Sequence, residues 1–346
     1  GKPSQFGINC VAISKNLSIM IENGYTIVLF DQKTTDGDDI ERECVGVFTS
    51  GTYIPDKQMP DANYLLSVYI SEEKQIGSVK TLLAIGVSLV DVSTGFSMIH
   101  EFCGNKQDEK FGLDELVRIM STFKPTESVI YFHPVIMDEV IVKNLKTYLE
   151  LDKYRNCHIY IYHNKLGNDK LNLLTENDFK ISHQNDYFSR VYEFTNQITL
   201  GGKKSAIELL NLEKMNYARI SLLIMLKYIC QHNAILLKNL SQPEIYLYHK
   251  HLILGNNAIE QLNVIDSNNL QTYNHKIESL FDVINKTSTP MGKRMLKENL
   301  LNPLSQENKS IILKRYELIN SLVQGKFFRV IQPELKKIFD MERLHR

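Results

Sequence analysis

Residues 277–304 read IESLFDVINKTSTPMGKRMLKENLLNPL, and they predict two consecutive helices joined by a capped turn. Four apolar side chains at the start are spaced at i, i+3, i+4 and i+7, so they share the buried face of the first helix. These are Ile277, Leu280, Phe281 and Ile284. Three hydroxyl residues, 287–289, offer N-caps for the second helix, and Pro290 suits its first position because no N–H is needed there.

The second helix carries an apolar stripe and two cations in its first turn. Its expected end is Asn302-Pro303, and Lys293 and Arg294 lie where the positive end of the helix dipole disfavours cations. Their position indicates either a neighbouring anion or carboxylate, or a solvated surface pair. The stripe consists of Met291, Met295, Leu296 and Leu300.

Residues 62–165 are predicted to form three strands followed by alternating helices and strands, in the order β-β-β-α-β-α-β. Helices are expected near 113–120, ended by Lys124-Pro125, and over 135–149. Three antiparallel strands followed by alternating helices and strands is the order of a ribonuclease-H-like mixed sheet. The expected strands are 64–70, 81–91, 96–102, 128–132 and 157–162.

The segments on either side complete an α/β plus all-α fold class. Residues 10–23 are apolar at helical spacing and precede strands at 25–31 and 44–49, which predicts part of a small α/β domain. Residues 164–199 are polar and form an expected join. Residues 205–240 are apolar on nearly all sides, which predicts one long helix buried within a bundle. Further helices are expected at 311–322 and 327–339.

Composition is that of an intracellular, soluble protein of two or three domains. The 346 residues are 43% hydrophobic and 23% charged with zero net charge, and no apolar run reaches the roughly 20 residues of a membrane span. The five cysteines are scattered without a C-x-x-C pair, which indicates reduced thiols and no metal site. Residues 271–346 carry 14 basic and 8 acidic side chains, which is compatible with a nucleic-acid-facing arm.

One glycine-rich stretch is superficially similar to a phosphate-binding loop. Residues 201–205 read GGKKS, but Gln197 occupies the place of the first required glycine and Lys204 replaces the serine or threonine that binds magnesium. We therefore expect a loop before a helix capped by Ser205.

Three regions of the chain, each matched through one or more short stretches, resemble MutS-family mismatch-recognition proteins, and they follow the family's own order. Residues 1–5 (GKPSQ), 24–32 and 47–52 resemble the second half of the mismatch-recognition domain. LVDVSTGFSMIHEF at 89–102 resembles the connector domain. Residues 279–281 with 287–304 resemble the start of the core (lever) domain, and Asp340-Met341-Glu342-Arg343-Leu344 resembles the motif that opens the long lever helices.

The resemblance implies three domains and a set of partners. These are a partial mismatch-recognition domain (1–55), a ribonuclease-H-like connector domain with a mixed sheet (62–165) and an incomplete helical core or lever domain (190–346). The implied partners are double-stranded DNA, a second MutS-type subunit in a homo- or heterodimer, and a MutL-type protein, without a membrane. The family's ATPase, with ATP and magnesium, is expected beyond Arg346, so no cofactor and no catalytic residue is expected in this chain.

The implied DNA-binding residues are Lys2, Ser4 and Gln5, which match a loop that lies beside duplex DNA in the family. Lysine and small polar side chains suit phosphate and sugar contacts. Lys293 and Arg294, together with Lys297, are weaker candidates. Gln5 replaces the family's usual His, Ser50 replaces a Pro, and the aromatic-x-Glu wedge is not in this chain. A MutS-related recombination or scaffold protein without mismatch preference therefore stays open.

A metal-dependent nuclease is the third functional hypothesis, because active ribonuclease-H-like folds hold two metal ions with three or four carboxylates. Asp91 stands near the end of a strand, where a catalytic aspartate is placed, and its alternative role is that of a turn residue before Ser93-Thr94-Gly95. Its possible companions are Glu101, Asp114 and Asp138.

Overall fold

The computed structural model has a mixed sheet at its centre. It describes residues 7–33, 41–55, 61–74, 81–104, 107–133, 139–154, 157–161, 173–193, 198–199, 202–247, 250–252, 254, 258–265 and 279–344. The strands of the sheet are β3 (Tyr64–Lys74), β4 (Thr81–Asp91), β5 (Ser97–Cys103), β6 (Glu127–His133), β7 (Cys157–Ile161) and β10 (Glu244–Ile245).

The strand order is β10-β5-β4-β3-β6-β7. β3, β4 and β5 are antiparallel neighbours, whereas β6 pairs parallel to β3 and β7 parallel to β6. Parallel neighbours need a crossover, and helices α2 (Phe111–Phe123) and α3 (Glu139–Tyr148) supply the two crossovers. The ribonuclease-H-like mixed sheet is thus confirmed. The two-residue strand β10, parallel to β5, is an addition that the sequence pattern did not reveal.

Helices cover both faces of this sheet, and the covered sheet is called the sheet domain below. Alternate side chains of β3 point to opposite faces: Leu66 and Val68 join the hydrophobic core beneath α2 and α3, whereas Leu65 and Tyr69 join the core beneath α6 (Asn216–Asn233). Strands that are buried on both faces have nearly continuous apolar sequences. This explains why apolar and polar residues alternate only weakly in the strands of this sheet.

The long helix expected over 205–240 is interrupted. The structure has α5 (Ala206–Leu209), a turn with Asn211 at φ 58°, and then α6. The buried guanidinium of Arg219 donates to the carbonyls of Leu212 and Glu213, at 2.9 and 3.0 Å, and stabilises the turn. Ser205 caps α5, as expected, by accepting a hydrogen bond from the Glu208 N–H.

The expectation that this segment is buried within a helical bundle is wrong, because α6 packs on the sheet. The Ser67 and Ser221 hydroxyls each donate to the other residue's carbonyl, at 3.0 and 2.9 Å. Asn216–Leu237 is long and apolar enough to cross a membrane by length and composition alone, with a mean hydropathy of 1.5. Its packing against the sheet is that of a core helix, and an apolar sequence does not distinguish a sheet from a bundle as its partner.

The segment expected to be a polar join, 164–199, contains a helix among its described residues. Helix α4 (Ile181–Val191) follows a 3-10 turn in which Thr175 and Asp178 cap each other. Phe188 of α4 is fully buried in the core beneath α6. Polar residues occupy most of this helix, so its narrow apolar face gives little periodic signal.

The amino-terminal segment is a helix followed by an antiparallel strand pair, as expected. Helix α1 (Ile13–Glu22) precedes β1 (Ile27–Lys33) and β2 (Glu41–Phe48), which pair in register except for an irregularity between Leu29 and Phe30. A further short pair is formed by β8 (Ile198–Thr199) and β9 (Gly202–Lys203).

The carboxy-terminal part is helical, as expected, and it has a small core of its own. This third core contains Ile259, Val264, Ile265 and Phe281, with Leu296 and Leu300 packed against it. Residues 279–344 are called the core segment below. The helices are α7 (Ala258–Gln261), α8 (Leu280–Ile284), α9 (Pro290–Leu301), α10 (Lys309–Gln324), α11 (Phe328–Leu335) and α12 (Met341–Leu344).

The expected four-residue buried face of the first helix needs correction. Helix α8 has only five residues after its cap Ser279. Phe281 is buried, but Leu280 and Ile284 are 46% and 40% exposed, and Ile277 lies outside the described residues. A helix of little more than one turn cannot present residues seven apart on one face.

Of the three hydroxyls at 287–289, Thr289 is the cap of α9, and replacing it should destabilise the core segment. Its Oγ1 accepts a hydrogen bond from the Gly292 N–H at 3.0 Å, with Pro290 at the first helical position. Thr289→Ala should lower the free energy of unfolding by about 1 kcal/mol, measured by urea denaturation. The matched control is Thr287→Ala, because that exposed hydroxyl donates to the Asn285 side chain. Equal losses in both variants would contradict the assignment.

Candidate functional site

The residues expected to bind DNA fall into two groups in the structure. Lys2, Ser4 and Gln5 lie outside the described residues. Lys293 and Arg294 lie in the first turn of α9, and both face carboxylates of the same chain. DNA contact therefore stays a prediction for all five residues. For Lys293 and Arg294, the carboxylate partners that were one of the two expected outcomes are present.

Arg294 is held by Asp340, which immediately precedes α12, and by Glu342 within α12. Its guanidinium donates in bidentate fashion to Asp340, at 2.6 and 2.7 Å, and also to Glu342. The Arg294 side chain is 9% exposed. Hydrogen bonds from Arg294 hold the pKa of Asp340 below its usual value, although burial opposes this. Such a planar, bidentate pair fixes the start of α12 against α9.

A second group of cations converges on Asp61, in the linker just before β3. Lys293 and Lys297 of α9 place their ammonium nitrogens 3.5 and 3.3 Å from the Asp61 carboxylate. Arg343 of α12 donates to the Asp61 carbonyl at 2.6 Å and to the Ser93 hydroxyl at 3.2 Å. We call these five residues the Asp61 junction. It joins the core segment to the sheet domain through polar contacts.

The most deeply buried junction is centred on Glu127, the first residue of β6, whose side chain is 1% exposed. Its Oε2 accepts hydrogen bonds from the Thr49 hydroxyl and, at 2.8 Å, from the Gly51 N–H. Its Oε1 accepts from the Tyr228 hydroxyl of α6 at 2.7 Å and lies 2.8 Å from His158 Nε2 of β7. We call these five residues the Glu127 junction.

Hydrogen bonding keeps Glu127 ionised despite its burial. Burial raises the pKa of this carboxyl, but the bonds from His158, Thr49, Tyr228 and the Gly51 N–H outweigh burial and hold the pKa below its ordinary value. The junction therefore ties the loop after β2, two sheet strands and helix α6 to one buried negative charge. Movement of any of these elements would leave a buried donor or the carboxylate without a partner, which is costly.

The three described carboxylates considered for a nuclease site, Asp91, Glu101 and Asp114, do not form a metal-binding group. Asp91 Oδ1 accepts hydrogen bonds from the backbone N–H groups of Asn63 and Ser93, at 3.0 and 2.9 Å, and its Oδ2 accepts from the Thr94 hydroxyl. This is the turn role considered for it. Asp138 lies outside the described residues.

The two other candidate carboxylates also have structural roles. Glu101 accepts from the N–H groups of Tyr217 and Ala218, at 2.7 and 3.0 Å, and so caps the first turn of α6. Asp114 accepts from the Tyr148 hydroxyl. Across the described part of the chain, no three His, Cys, Asp or Glu side chains are grouped to hold a metal ion.

Sequence reasoning did not single out Glu127 or Asp61. Glu127 opens an apolar strand (SVIYF follows it), and a charge at the start of a buried strand is a usable signal of a buried partner. Its partners, however, come from residues 31 to 101 positions away, which the linear sequence does not reveal. Asp61 stands in a polar linker with nothing to separate it from solvated neighbours.

Comparison with known proteins adds family information. The family model of MutS domain III matches residues 257–346. The chain is 70% identical over 345 residues to a mutS homologue of Acanthamoeba polyphaga mimivirus described as a DNA mismatch repair protein, a match covering 100% of this chain and 31% of that protein.

Two more distant relatives cover nearly the same part of the chain. DNA mismatch repair protein MutS of Caldanaerobacter subterraneus is 26% identical over 94% of the chain and 32% of its own length. The mitochondrial DNA mismatch repair protein mutS homologue of Sarcophyton glaucum is 24% identical over 99% of the chain and 34% of its own length. The chain thus spans about a third of each relative. With the sheet and the helical core segment in the expected order, it belongs to the MutS family.

Proposed function

We propose that this chain supplies the connector and lever of a MutS-type DNA mismatch repair protein. The observation that carries the proposal is the 70% identity, across the whole chain, to a mimivirus mutS homologue described as a DNA mismatch repair protein. The intact protein would bind mismatched duplex DNA as a dimer and use ATP and magnesium, bound outside these 346 residues, to switch into a sliding clamp. A MutL-type protein is a further expected partner.

Within such a protein the chain acts mechanically. Rigid-body movement of packed domains transmits a signal only if the domains meet at interfaces with discrete arrangements. The Glu127 junction supports a rigid connection, because its carboxylate is buried and saturated with donors from three segments. The Asp61 junction supports a weaker connection, because its charges are partly exposed.

The proposal predicts that the purified chain has no activity of its own on mismatches or ATP. Fluorescence anisotropy with a duplex carrying one G·T mismatch and with its matched counterpart should give a dissociation-constant ratio near one, and ATP should not be hydrolysed.

In the intact protein, Glu127→Gln should retain the mismatch preference but slow ATP-triggered release from DNA by roughly tenfold, the effect of about 1.4 kcal/mol on a barrier. The control is Glu317→Gln, which alters an exposed glutamate of α10.

The competing functions give different results. A recombination or scaffold protein, favoured by Gln5 in place of the family's histidine, would bind duplex DNA in its intact form without preferring the mismatch. A nuclease would cleave hybrid or duplex substrates with magnesium or manganese, and Asp91→Asn would abolish the cleavage. ATP hydrolysis or mismatch preference in the isolated chain would contradict a passive role.

A further inference from the structure

The contacts that Asp61 and Ser93 make with the core segment are polar. A further polar contact joins the Tyr246 hydroxyl, just after β10, to the Asn302 side chain at 3.3 Å. The two large hydrophobic cores flank the sheet, and the third lies around Phe281. No hydrophobic cluster of described residues contains side chains from both the sheet and helices α9–α12. Polar interfaces within one chain resemble transient protein–protein interfaces, so relative movement of the two parts is expected.

Three cations approach Asp61 from two helices of the core segment. Lys293 and Lys297 are one turn apart on α9, so they present both ammonium groups on the same side. Arg343 comes from α12 and contacts the Asp61 carbonyl together with the Ser93 hydroxyl. Asp61 and Ser93 belong to the two connections that flank β3 and β4, so both acceptors move with the sheet domain.

Arg343 is the cation on α12, and acidic residues close to it in sequence are bound by Arg294 of α9. The bidentate pair between Arg294 and Asp340 fixes the residue that immediately precedes α12. Glu342 is bound by the same guanidinium. Arg343 follows directly, and its Nε lies 3.7 Å from Asp340 Oδ2. Contacts inside the core segment therefore help to position this cation for its hydrogen bonds to Asp61 and Ser93.

We propose that the Asp61 junction is a releasable contact, called the catch below. In it Asp61 and Ser93 bind Lys293, Lys297 and Arg343, and this contact holds the core segment against the sheet domain and opens as a unit. Its use in mismatch signalling rests on the proposed function, but the catch itself does not. The Asp61 side chain is 45% exposed, and the two lysines are 26% and 30% exposed. Exposed pairs are weak, each worth roughly a two- to fivefold change in an equilibrium, so this contact is suited to opening and closing.

The catch predicts an opening that depends on salt. Screening shortens the Debye length from about 10 Å at 0.1 M to about 3 Å at 1 M ionic strength. The lysine–Asp61 attractions should weaken over this range. The Glu127 junction is buried, so it should persist and keep the sheet domain intact while the core segment moves.

The test is an intramolecular distance measured by pulsed electron resonance. Spin labels are placed at Lys143→Cys on α3 and Ser310→Cys on α10, both exposed positions, in a chain whose own cysteines are replaced by serine. The parent chain should give one narrow distance distribution at 0.1 M salt and a broad one at 1 M. Asp61→Lys should give the broad distribution at both salt concentrations, with the open fraction increased at least roughly fivefold.

Charge reversal provides the decisive control. Adding Lys293→Glu and Lys297→Glu to Asp61→Lys should restore the narrow distribution at 0.1 M salt, which damage to the fold cannot mimic. Glu334→Lys replaces the exposed ion pair between Glu334 of α11 and Lys337 with two like charges, involves no residue of the catch, and should leave the distance distribution unchanged. A narrow distribution in the Asp61→Lys chain, or no restoration by the reversed pairs, would overturn the proposal. The measurement uses no DNA, ATP or second subunit, so it can succeed even if the mismatch-repair proposal fails.

Discussion

Glu127→Gln should lower the free energy of unfolding by about 3 kcal/mol, because hydrogen bonds to a buried charged group contribute about 1.5–3 kcal/mol each. The carboxylate accepts from four donors, whereas the glutamine side chain has one acceptor oxygen and turns its NH2 group toward the other two donors. Urea denaturation followed by circular dichroism measures the loss. Glu317→Gln on the exposed surface of α10 is the control, and it should cost less than 0.5 kcal/mol.

The same substitution should change how stability depends on pH. Because the pKa of Glu127 is lower in the folded chain than in the unfolded chain, its contribution is present above the unfolded glutamate pKa of about 4.3 and is lost as pH falls through the folded value. The difference in stability between the parent chain and Glu127→Gln should therefore shrink below about pH 4. A difference that stays constant down to pH 3, or a loss no larger than that of Glu317→Gln, would show that the buried charge does not stabilise the junction.

The main architecture was predictable because it depends on local patterns. Short apolar runs separated by turns and helices indicate a mixed sheet wherever the strands finally pair. Thr289 and Ser205 stand at helix starts that hydroxyl side chains commonly cap, and both are the caps observed. Such signals involve partners two to four residues apart, so the sequence contains them directly.

The remaining features depend on contacts between distant segments. Helix α6 is apolar on nearly all sides, so its sequence is compatible with a bundle and with a sheet, and the sheet was found. Helix α4 was missed because only a narrow face, centred on Phe188, is buried. At the candidate site, the carboxylate partner of Arg294 was one of two expected outcomes, but its identity as Asp340, 46 residues away, was not predictable from helix position.

Gly86→Ala should have the largest effect of any substitution considered, because it acts on the contact that seats α6 on the sheet. A Cβ at Gly86, in the middle of β4, would lie 2.0 Å from the Tyr217 carbonyl oxygen and 2.5 Å from the Ala218 nitrogen. Both are backbone atoms, and the Glu101 carboxylate holds the same turn from the neighbouring strand β5. The helix must therefore lift from the sheet, and the core beneath it must open.

We expect a loss above about 4 kcal/mol, the range reserved for severe core disruption, seen as a lowered urea midpoint or as failure to recover folded protein. Gly112→Ala in α2 is the matched control, because its Cβ would meet the flexible Ile85 Cδ1 at 3.3 Å and alanine favours a helix by about 1 kcal/mol over glycine. Wild-type stability in Gly86→Ala would mean that α6 does not approach β4 this closely. Glycine inside an apolar strand costs stability by itself, so its presence at position 86 is explained by this close approach of two backbones.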